Sequence, residues 1–212
     1  MGIIQPEKYI LTLKSLANRR IGAVALLGFA SGMPLALTGG TLQAWMAVEG
    51  VDLKTIGIFS LVGLPYAFKF FWAPLLDRYA LPFLGRRRGW ILCSQFILMG
   101  LIILLGFSSP KETPLLVALI ALFLTFTSAS QDIVIDAYRT DVLREKERGL
   151  GAAVSVTGYR IAMLVSGALA LILAGPLGWR LTYLLMAGLM IVGMLATFFG
   201  PEPEVVVCPP QS

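Results

Sequence analysis

Long apolar segments make up most of this sequence, and they constrain its fold more than any other feature. Each is longer than the roughly 17–20 residues that a helix needs to cross a hydrocarbon core of about 30 Å. Lipid offers no partners to backbone N–H and C=O groups, so such segments are expected to be helical. The sequence therefore predicts an all-α membrane protein, a bundle of six transmembrane helices at about 21–46, 53–76, 90–108, 114–143, 148–174 and 179–200.

Composition supports this fold class, because 57% of the 212 residues are hydrophobic and only 14% are charged. A soluble domain carries about 25% charged residues. The chain has no histidine and only two cysteines, so His-based metal sites are excluded and neither a cofactor nor a disulfide framework is expected. The sequence also has no nucleophile–base pair or phosphate-binding glycine loop that would indicate an enzyme.

Basic residues are distributed unevenly between the two sides of the predicted bundle. With the N-terminus in the cytoplasm, eleven of the seventeen Lys and Arg residues lie in inner segments, whereas Lys54, Lys111 and Arg180 lie in outer ones. Short cytoplasmic loops of membrane proteins carry such an excess. The net charge of +5 therefore indicates topology rather than nucleic-acid binding, and we predict that residues 1–20 and 201–212 are cytoplasmic.

The six predicted spans differ in their polarity. The third and the sixth have no charge in their interiors, so they are expected at the periphery of the bundle. The first, second, fourth and fifth contain prolines, polar residues or charges, which favours a central position. Small residues such as Gly28, Gly32 and Gly158 recur at helical spacing and predict close helix packing.

Ionisable residues inside the predicted spans are the strongest functional signal. A charged side chain at bilayer depth costs roughly 2.5–3.5 kcal/mol on insertion scales, so it is expected to meet a partner or a hydrated cavity. At about 1.5 Å of rise per residue, Asp136 and Lys69 lie about 10 Å into the bilayer, and Asp132 and Arg160 lie about 16–18 Å in. Two interpretations stay open: a polar cavity through the bundle, or ion pairs that only fix helix register, namely Asp132–Arg160 and Asp136 with Lys69 or Arg139.

The cavity interpretation assigns roles to these side chains. Arg160 would bind an anionic group of a solute, and Asp132 would either counter the charge of Arg160 or, together with Asp136, take up and release a proton. Further candidates for polar contacts with the solute are Gln131, Tyr159, Lys69 and Gln43, and also Thr38 and Ser31 of the first span.

The loop of residues 75–90, LLDRYALPFLGRRRGW, joins the second and third spans. Its arginines either anchor the topology at anionic lipid headgroups or take part in gating. Six helices with an acidic–basic loop after the second resemble one half of a major facilitator superfamily transporter. That superfamily's pattern D-R-x-G-R-R/K appears here, with the insertion YALPFL, as Asp77, Arg78, Gly85, Arg86 and Arg87. The resemblance implies that these residues gate the pathway and that the first, second, fourth and fifth helices surround it.

Longer motifs resemble the AmpG muropeptide permease family, from about Leu26 to Pro203. They include GFASGMPLALTGGTLQAWM, FKFFWAPLLDRYALPFLGRRRGW and SASQDIVIDAY. The resemblance implies a proton-driven importer in the bacterial inner membrane for N-acetylglucosaminyl-anhydro-N-acetylmuramyl peptides, which cell-wall turnover releases. It also implies a link to induction of chromosomal β-lactamase. The implied partners are the muropeptide, protons and membrane lipid.

Permeases of this family have twelve or more helices, whereas six are predicted here. We therefore expect the N-terminal half of a permease, truncated and inactive alone, whose missing C-terminal half or second copy would complete the pathway. The competing hypothesis is a membrane module that scaffolds or regulates a partner without transporting. Water access to positions 132 and 160 distinguishes the two, because transport needs these positions to be reached from alternate sides.

Overall fold

The computed structural model describes residues 18–79, 84–85 and 87–202, and every regular element in this part of the chain is helical. Five helical stretches among the described residues are long and apolar enough to cross a membrane: Arg19–Val48, Leu53–Phe71, Arg88–Phe107, Pro114–Val142 and Glu145–Phe199. The prediction of an all-α membrane fold is confirmed. The first four stretches are called here the first to fourth helices, and the short helix Ala73–Arg78 that follows Trp72 is counted with the second.

The fifth stretch reverses direction at Gly178, whose backbone has φ 75° and ψ 162°. At the start of the stretch, Asn18 donates a hydrogen bond to Glu147, and at its end Arg19 donates to the carbonyl of Phe199. Between them, Trp179 stacks on Trp45 at the far end of the first helix. The chain therefore runs from the Arg19 end of the bundle to the Trp45 end and back. Residues 145–177 are called the fifth helix and residues 179–199 the sixth.

The described chain thus makes six passes between the two ends of the bundle. There are six passes but five apolar stretches, because the stretch Glu145–Phe199 passes twice and only a single glycine separates its two passes. A positive φ of this kind is open to glycine without steric cost. The number and limits of the actual membrane spans stay a prediction.

The first and fifth helices run side by side at very short separation. A Cβ on Gly28 would overlap the backbone of Ser155, and one on Gly32 would overlap the backbone of Tyr159. From the fifth helix, a Cβ on Gly158 would likewise overlap the carbonyl oxygen of Ala25 in the first helix. Small residues at such spacing let two helix backbones approach closely in lipid, where packing rather than the hydrophobic effect drives association.

Both helices of this pair change to π-helical geometry toward the Trp45 end, at Leu37–Thr41 and at Val165–Leu169. In the first helix Gly39 departs from helical geometry, with φ −92° and ψ −111°. The hydroxyl of Thr41 donates to the carbonyl of Ser166 at 2.7 Å, which ties the two segments together. Such π segments are common where helices bend and at functional sites.

The second helix is irregular. It is built from three short α-helical pieces and two 3-10 turns, namely Leu53–Phe59, Ser60–Gly63, Leu64–Phe68, Lys69–Phe71 and Ala73–Arg78. Asp52 begins it by accepting a hydrogen bond from the backbone N–H of Thr55 at 2.9 Å, an N-cap that satisfies an otherwise unpaired donor. Pro65 and Pro74 interrupt its backbone hydrogen bonding, since proline has no N–H to donate.

Apolar side chains cover both the interior and the outer surface of the bundle. Two buried clusters fill the interior, one around Trp45, Leu98 and Tyr183 and the other around Leu27 and Val134. On the outside, Leu115 is 73% exposed and Phe123 is 62% exposed. A soluble protein rarely presents so much contiguous apolar surface, whereas a bundle embedded in lipid does so at no cost.

Candidate functional site

A cavity of about 880 Å³ opens on the side of the bundle formed by the first, fourth and fifth helices. It is partly open rather than enclosed. Its lining residues are Gly28, Ser31, Asp132, Ile135, Asp136, Arg139, Ser155, Val156, Tyr159, Arg160, Met163 and Leu164. Four charged side chains thus meet in one cavity of an otherwise apolar bundle, and their roles in solute binding and proton transfer stay predictions.

Asp132 is less exposed than Asp136, the other acidic residue of the cavity, with 11% of its side chain accessible. The hydroxyl of Ser31 on the first helix donates to its Oδ1 atom. Lys69 of the second helix places its Nζ atom 3.7 Å from Oδ2. Asp132 therefore has a neutral donor on one oxygen and a cation on the other, supplied by two different helices.

The predicted alternatives that paired Asp132 with Arg160, or Asp136 with Lys69, are wrong. Lys69 contacts Asp132 instead. The depth estimate assumed 1.5 Å per residue, but Lys69 begins a 3-10 turn, which rises about 2.0 Å per residue. Its four-carbon side chain then reaches further along the bundle to the deeper carboxylate.

Asp136 lies one helical turn from Asp132 and is more exposed, with 56% of its side chain accessible. It pairs with Arg139 of its own helix at 3.1 Å, which was one of the two partners considered from the sequence. An ion pair three residues apart on one helix, and this exposed, contributes about 0.2–1 kcal/mol. The pair therefore adds little to stability, although both groups line the cavity.

Arg160 is exposed and lines the cavity from the fifth helix, next to Tyr159. It forms no ion pair with any of the described residues. The other two cations close to the cavity, Lys69 and Arg139, each already contact a carboxylate. A guanidinium without a counter-ion is free to bind a carboxylate or phosphate through two parallel hydrogen bonds.

Of the six residues predicted as further solute contacts, Ser31 and Tyr159 line the cavity, whereas Gln131, Gln43, Thr38 and Lys69 do not. Gln131 is 1% exposed and faces the third helix, where its Oε1 atom lies 3.5 Å from the hydroxyl of Ser94. Adjacent residues of a helix point about 100° apart, so Asp132 and Gln131 cannot face the same space. Gln43 lies in the segment Leu42–Val48, beyond the π turn, and is not among the lining residues. Thr38 instead bonds the carbonyl of Pro34 at 2.9 Å.

The apolar part of the cavity wall was missed from the sequence. Val156, Met163 and Leu164 lie on the same face of the fifth helix as Tyr159 and Arg160. Their spacing of three and four residues was the available signal, because such residues are neighbours on a helix surface. With Ile135 of the fourth helix, they add an apolar surface beside the charges.

The loop after the second helix is held by arginine contacts at the Arg19 end. Arg87 places Nη1 2.5 Å from Asp77 and Nε 3.1 Å from Asp141 of the fourth helix. Burial opposes the charge of Arg87, but the hydrogen bonds that it donates to these two carboxylates, together with their negative charges, outweigh burial and raise the pKa of Arg87. Gly85 has φ 77°, which favours glycine at this turn. Arg78 is exposed, and Arg86 lies outside the described residues.

Two other arginines cap the end of the sixth helix. Arg88 donates to the carbonyls of Thr197 and Phe198 at 2.9 and 2.6 Å, and Arg19 donates to Phe199 at 3.0 and 2.6 Å. These last carbonyls have no partners within the helix, and cations stabilise the negative end of its dipole. The arginines near this loop therefore contact helix ends and neighbouring helices.

Comparisons with known proteins agree with this architecture. The sequence profile described as Major Facilitator Superfamily matches residues 24–211. The chain is 55% identical over 201 residues to the anhydromuropeptide permease of Escherichia coli K12, an alignment that covers 94% of this chain and 41% of that protein. It is 42% identical over 189 residues to an uncharacterised protein of Haemophilus influenzae, covering 89% of this chain and 44% of the relative.

A third relative, from Rickettsia felis, carries the transporter name AmpG 4 and is 36% identical over 207 residues, which cover 93% of this chain and 49% of the relative. The chain thus spans two fifths to one half of the length of the curated relatives that it matches. The predicted resemblance to one half of an AmpG-type permease is confirmed.

Proposed function

Because the chain belongs to the major facilitator superfamily, we propose that its bundle forms one wall of the pathway of a proton-driven permease for anhydro-muropeptides. The observation that carries this proposal is the open cavity of about 880 Å³, in which a nearly buried carboxylate faces the same space as an arginine that has no counter-ion among the described residues. The substrate class is taken from the name of the Escherichia coli relative.

Arg160 is proposed to bind a carboxylate of the peptide stem. Its guanidinium lies in the cavity and is exposed, so it needs little rearrangement to receive an anion. Tyr159 offers a hydroxyl for a sugar or amide group. The apolar surface of Val156, Met163 and Leu164 would lie against the less polar parts of the sugar rings.

Asp132 is proposed to carry the proton. Its environment accommodates both charge states, because the Ser31 hydroxyl can donate to a carboxylate or accept from a protonated acid. Asp136 is the weaker candidate of the predicted pair, since it is more than half exposed and keeps Arg139 as a partner on its own helix. Lys69 is reassigned from substrate binding to the support of Asp132.

The contacts of Arg87 with Asp77 and Asp141 are proposed to close the Arg19 end of the pathway in one state of the transport cycle. They join the second, third and fourth helices at a single side chain. Opening that end would require these contacts to break. This retains the gating role that the sequence motif implied, with Gly85 allowing the turn that presents Arg87.

The protein is proposed to lie in the bacterial inner membrane with the Arg19 end toward the cytoplasm. Arg87 and Arg88 lie at this end and, with the arginines of the loop 144–148, supply the basic excess typical of a cytoplasmic side. The opposite wall of the pathway would come from the part of the relatives outside the match, or from a second chain. A role in supplying the muropeptides that govern β-lactamase induction follows from the same proposal.

The test is uptake of radiolabelled anhydro-muropeptide by cells that lack their own permease. The cells express either this chain alone or residues 1–200 of it joined to the remaining part of the Escherichia coli permease. Arg160→Ala should reduce uptake by the joined protein at least tenfold, while Arg160→Lys keeps part of it. Arg180→Ala is the matched control, because Arg180 lies over the ring of Phe107, 4.0 Å from its centroid, outside the cavity. Normal uptake by the Arg160→Ala protein would remove Arg160 from the binding site.

Accessibility distinguishes a transporter from a membrane scaffold. Single cysteines at positions 132 and 160, in a background without the native cysteines, should react with membrane-impermeant thiol reagents from alternate sides. Addition of substrate should slow the reaction of a single cysteine at position 163, which lines the cavity and leaves Arg160 in place. A cysteine at position 131, which faces the protein interior, is the matched control and should stay unreactive. Positions 132 and 160 sealed under all conditions would favour the scaffold.

A further inference from the structure

The second helix is attached to the bundle with very little apolar burial. In the fully described stretch 53–78, only Phe59, Val62 and Pro65 are buried. Its two 3-10 turns also have poorer hydrogen-bond geometry than an α-helix. Side-chain packing therefore contributes little to its attachment, apart from contacts such as that of Trp72 with Phe126 of the fourth helix, whose ring centroids lie 4.8 Å apart.

Polar contacts to the fourth helix supply that attachment. There are four such contacts. Thr125 Oγ1 donates to the Val62 carbonyl at 2.7 Å, and Tyr66 Oη donates to Ser128 Oγ at 2.7 Å. Trp72 Nε1 donates to Ser130 Oγ at 3.0 Å, and Lys69 Nζ lies 3.7 Å from Asp132 Oδ2. Three of these contacts are neutral. The fourth is an ion pair, and its acidic member lines the cavity.

We propose that Lys69 is a positioning residue that holds the second helix against the fourth only while Asp132 is ionised, so that protonation of Asp132 loosens the second helix. The proposal rests on the proposed function in one respect, that Asp132 exchanges a proton with water in the cavity. The step is a simple protonation: a proton adds to the carboxylate of Asp132, and Lys69 keeps its charge but loses its counter-ion.

The surroundings of Asp132 leave Lys69 as its principal ionic partner. The groups that face Asp132 are Ser31 of the first helix, Lys69 and Tyr66 of the second, Asp136 of its own helix, and Tyr159 and Arg160 of the fifth. Of these, only Lys69 forms an ion pair with Asp132 among the described residues. A neutral Asp132 would leave the Lys69 ammonium without this counter-ion, so the attraction that holds the second helix to the fourth at this level would be lost.

The geometry suits a contact that opens and closes. The Lys69–Asp132 distance of 3.7 Å exceeds the roughly 2.7–2.9 Å of a tight charge-assisted hydrogen bond. The Lys69 side chain is 36% exposed, so its ammonium can move from Asp132 into hydrated space on its flexible stem. The three neutral contacts would then keep the second helix in register while it loosens at the level of the cavity.

The test is hydrogen exchange, followed by mass spectrometry, of the full chain in lipid nanodiscs. Exchange in residues 60–72 is corrected for the intrinsic effect of pH with an unstructured reference peptide. In the unmodified chain the corrected exchange of this segment should rise about fivefold as pH falls from about 8 to about 4, the factor expected when an ion pair of this exposure is lost. The segment 114–124 of the fourth helix should not change.

Variants separate the ion pair from general loosening. Asp132→Asn and Lys69→Met should show the faster exchange of residues 60–72 at every pH, with the pH dependence abolished. Lys69→Arg keeps a positive charge beside Asp132, so exchange of residues 60–72 should stay slow at neutral pH. Asp136→Asn is the matched control, because Asp136 pairs within its own helix: exchange of residues 60–72 should stay slow at neutral pH and still rise as the pH falls.

Two results would overturn the proposal: exchange of residues 60–72 in the unmodified chain that does not depend on pH, or the same acceleration in Asp136→Asn as in Asp132→Asn. The first measurement needs no variant, so it decides the question even where a variant fails to fold. Failure of the transport proposal would look different. Uptake would then survive Asp132→Asn and Arg160→Ala, whereas the pH-dependent exchange would persist.

Discussion

Replacing Gly32 with alanine is expected to weaken the contact between the first and fifth helices. The new methyl carbon would overlap the carbonyl oxygen of Tyr159 and lie 3.0 Å from its carbonyl carbon. Both atoms belong to backbone in a regular helix, so they cannot rotate away. The two helices would have to move apart by on the order of 1 Å at this level.

The cost follows from the packing that such a shift removes. A gap of 0.5–1 Å forfeits about a quarter to a half of the attraction in each atom pair, which is about 0.1–0.2 kcal/mol at its best. With roughly twenty atom pairs affected, the lost attraction is about 1 kcal/mol, and residual strain brings the total to about 1–3 kcal/mol. Gly32→Ala should therefore destabilise the bundle by that amount.

Gly22→Ala is the matched control on the same helix. No atom lies within 4 Å of a Cβ built at Gly22, so the new methyl group meets open space. Alanine in a helix is favoured over glycine by about 0.5–1 kcal/mol, because glycine loses more backbone entropy on folding. The two substitutions are chemically identical, yet they should change stability in opposite directions.

The assay is reversible unfolding in mixed micelles with increasing sodium dodecyl sulfate, followed by circular dichroism and tryptophan fluorescence. The expected free-energy difference between the two variants is about 1.5–4 kcal/mol, the sum of the two effects. Gly32→Ala with stability equal to or above that of Gly22→Ala would refute the close approach of the first and fifth helices.

Two further predictions follow from other contacts. Cysteines at Ala36 and Gly167 should form a disulfide between the first and fifth helices on mild oxidation, because their Cβ atoms would lie 3.8 Å apart. The pair Ala36 and Gly175 is the control and should stay reduced on a non-reducing gel after proteolytic cleavage between the helices. Arg87→Lys should release the loop after the second helix, since one ammonium group cannot bridge two carboxylates as a guanidinium does. Faster trypsin cleavage of this loop than in Arg78→Lys, whose side chain is exposed, would be the expected readout, and equal cleavage would contradict it.

The positions of the intramembrane charges could be predicted from the sequence, but their partners could not. Asp132, Asp136 and Arg160 were recognised because charged groups in long apolar runs are costly. Lys69 was paired with the wrong aspartate because a uniform helical rise was assumed for the second helix, which contains two 3-10 turns. The sequence also did not show which way the fourth helix is rotated about its own axis. Gln131 was therefore predicted to contact the solute, although it faces Ser94 of the third helix.

The amino-acid sequence by itself determined the solvent and the secondary structure of this protein. Segments as long and apolar as these lie in lipid, where helices satisfy the backbone N–H and C=O groups. No tertiary information was therefore needed to predict an all-α membrane fold. The spacing of the glycines in the first and fifth helices likewise predicted close helix packing. Tertiary structure alone decided which groups meet. The Ser31–Asp132–Lys69 contact joins three helices that are far apart in the chain, and it depends on local departures from helical geometry and on side-chain reach of a few ångströms, which residue spacing does not encode.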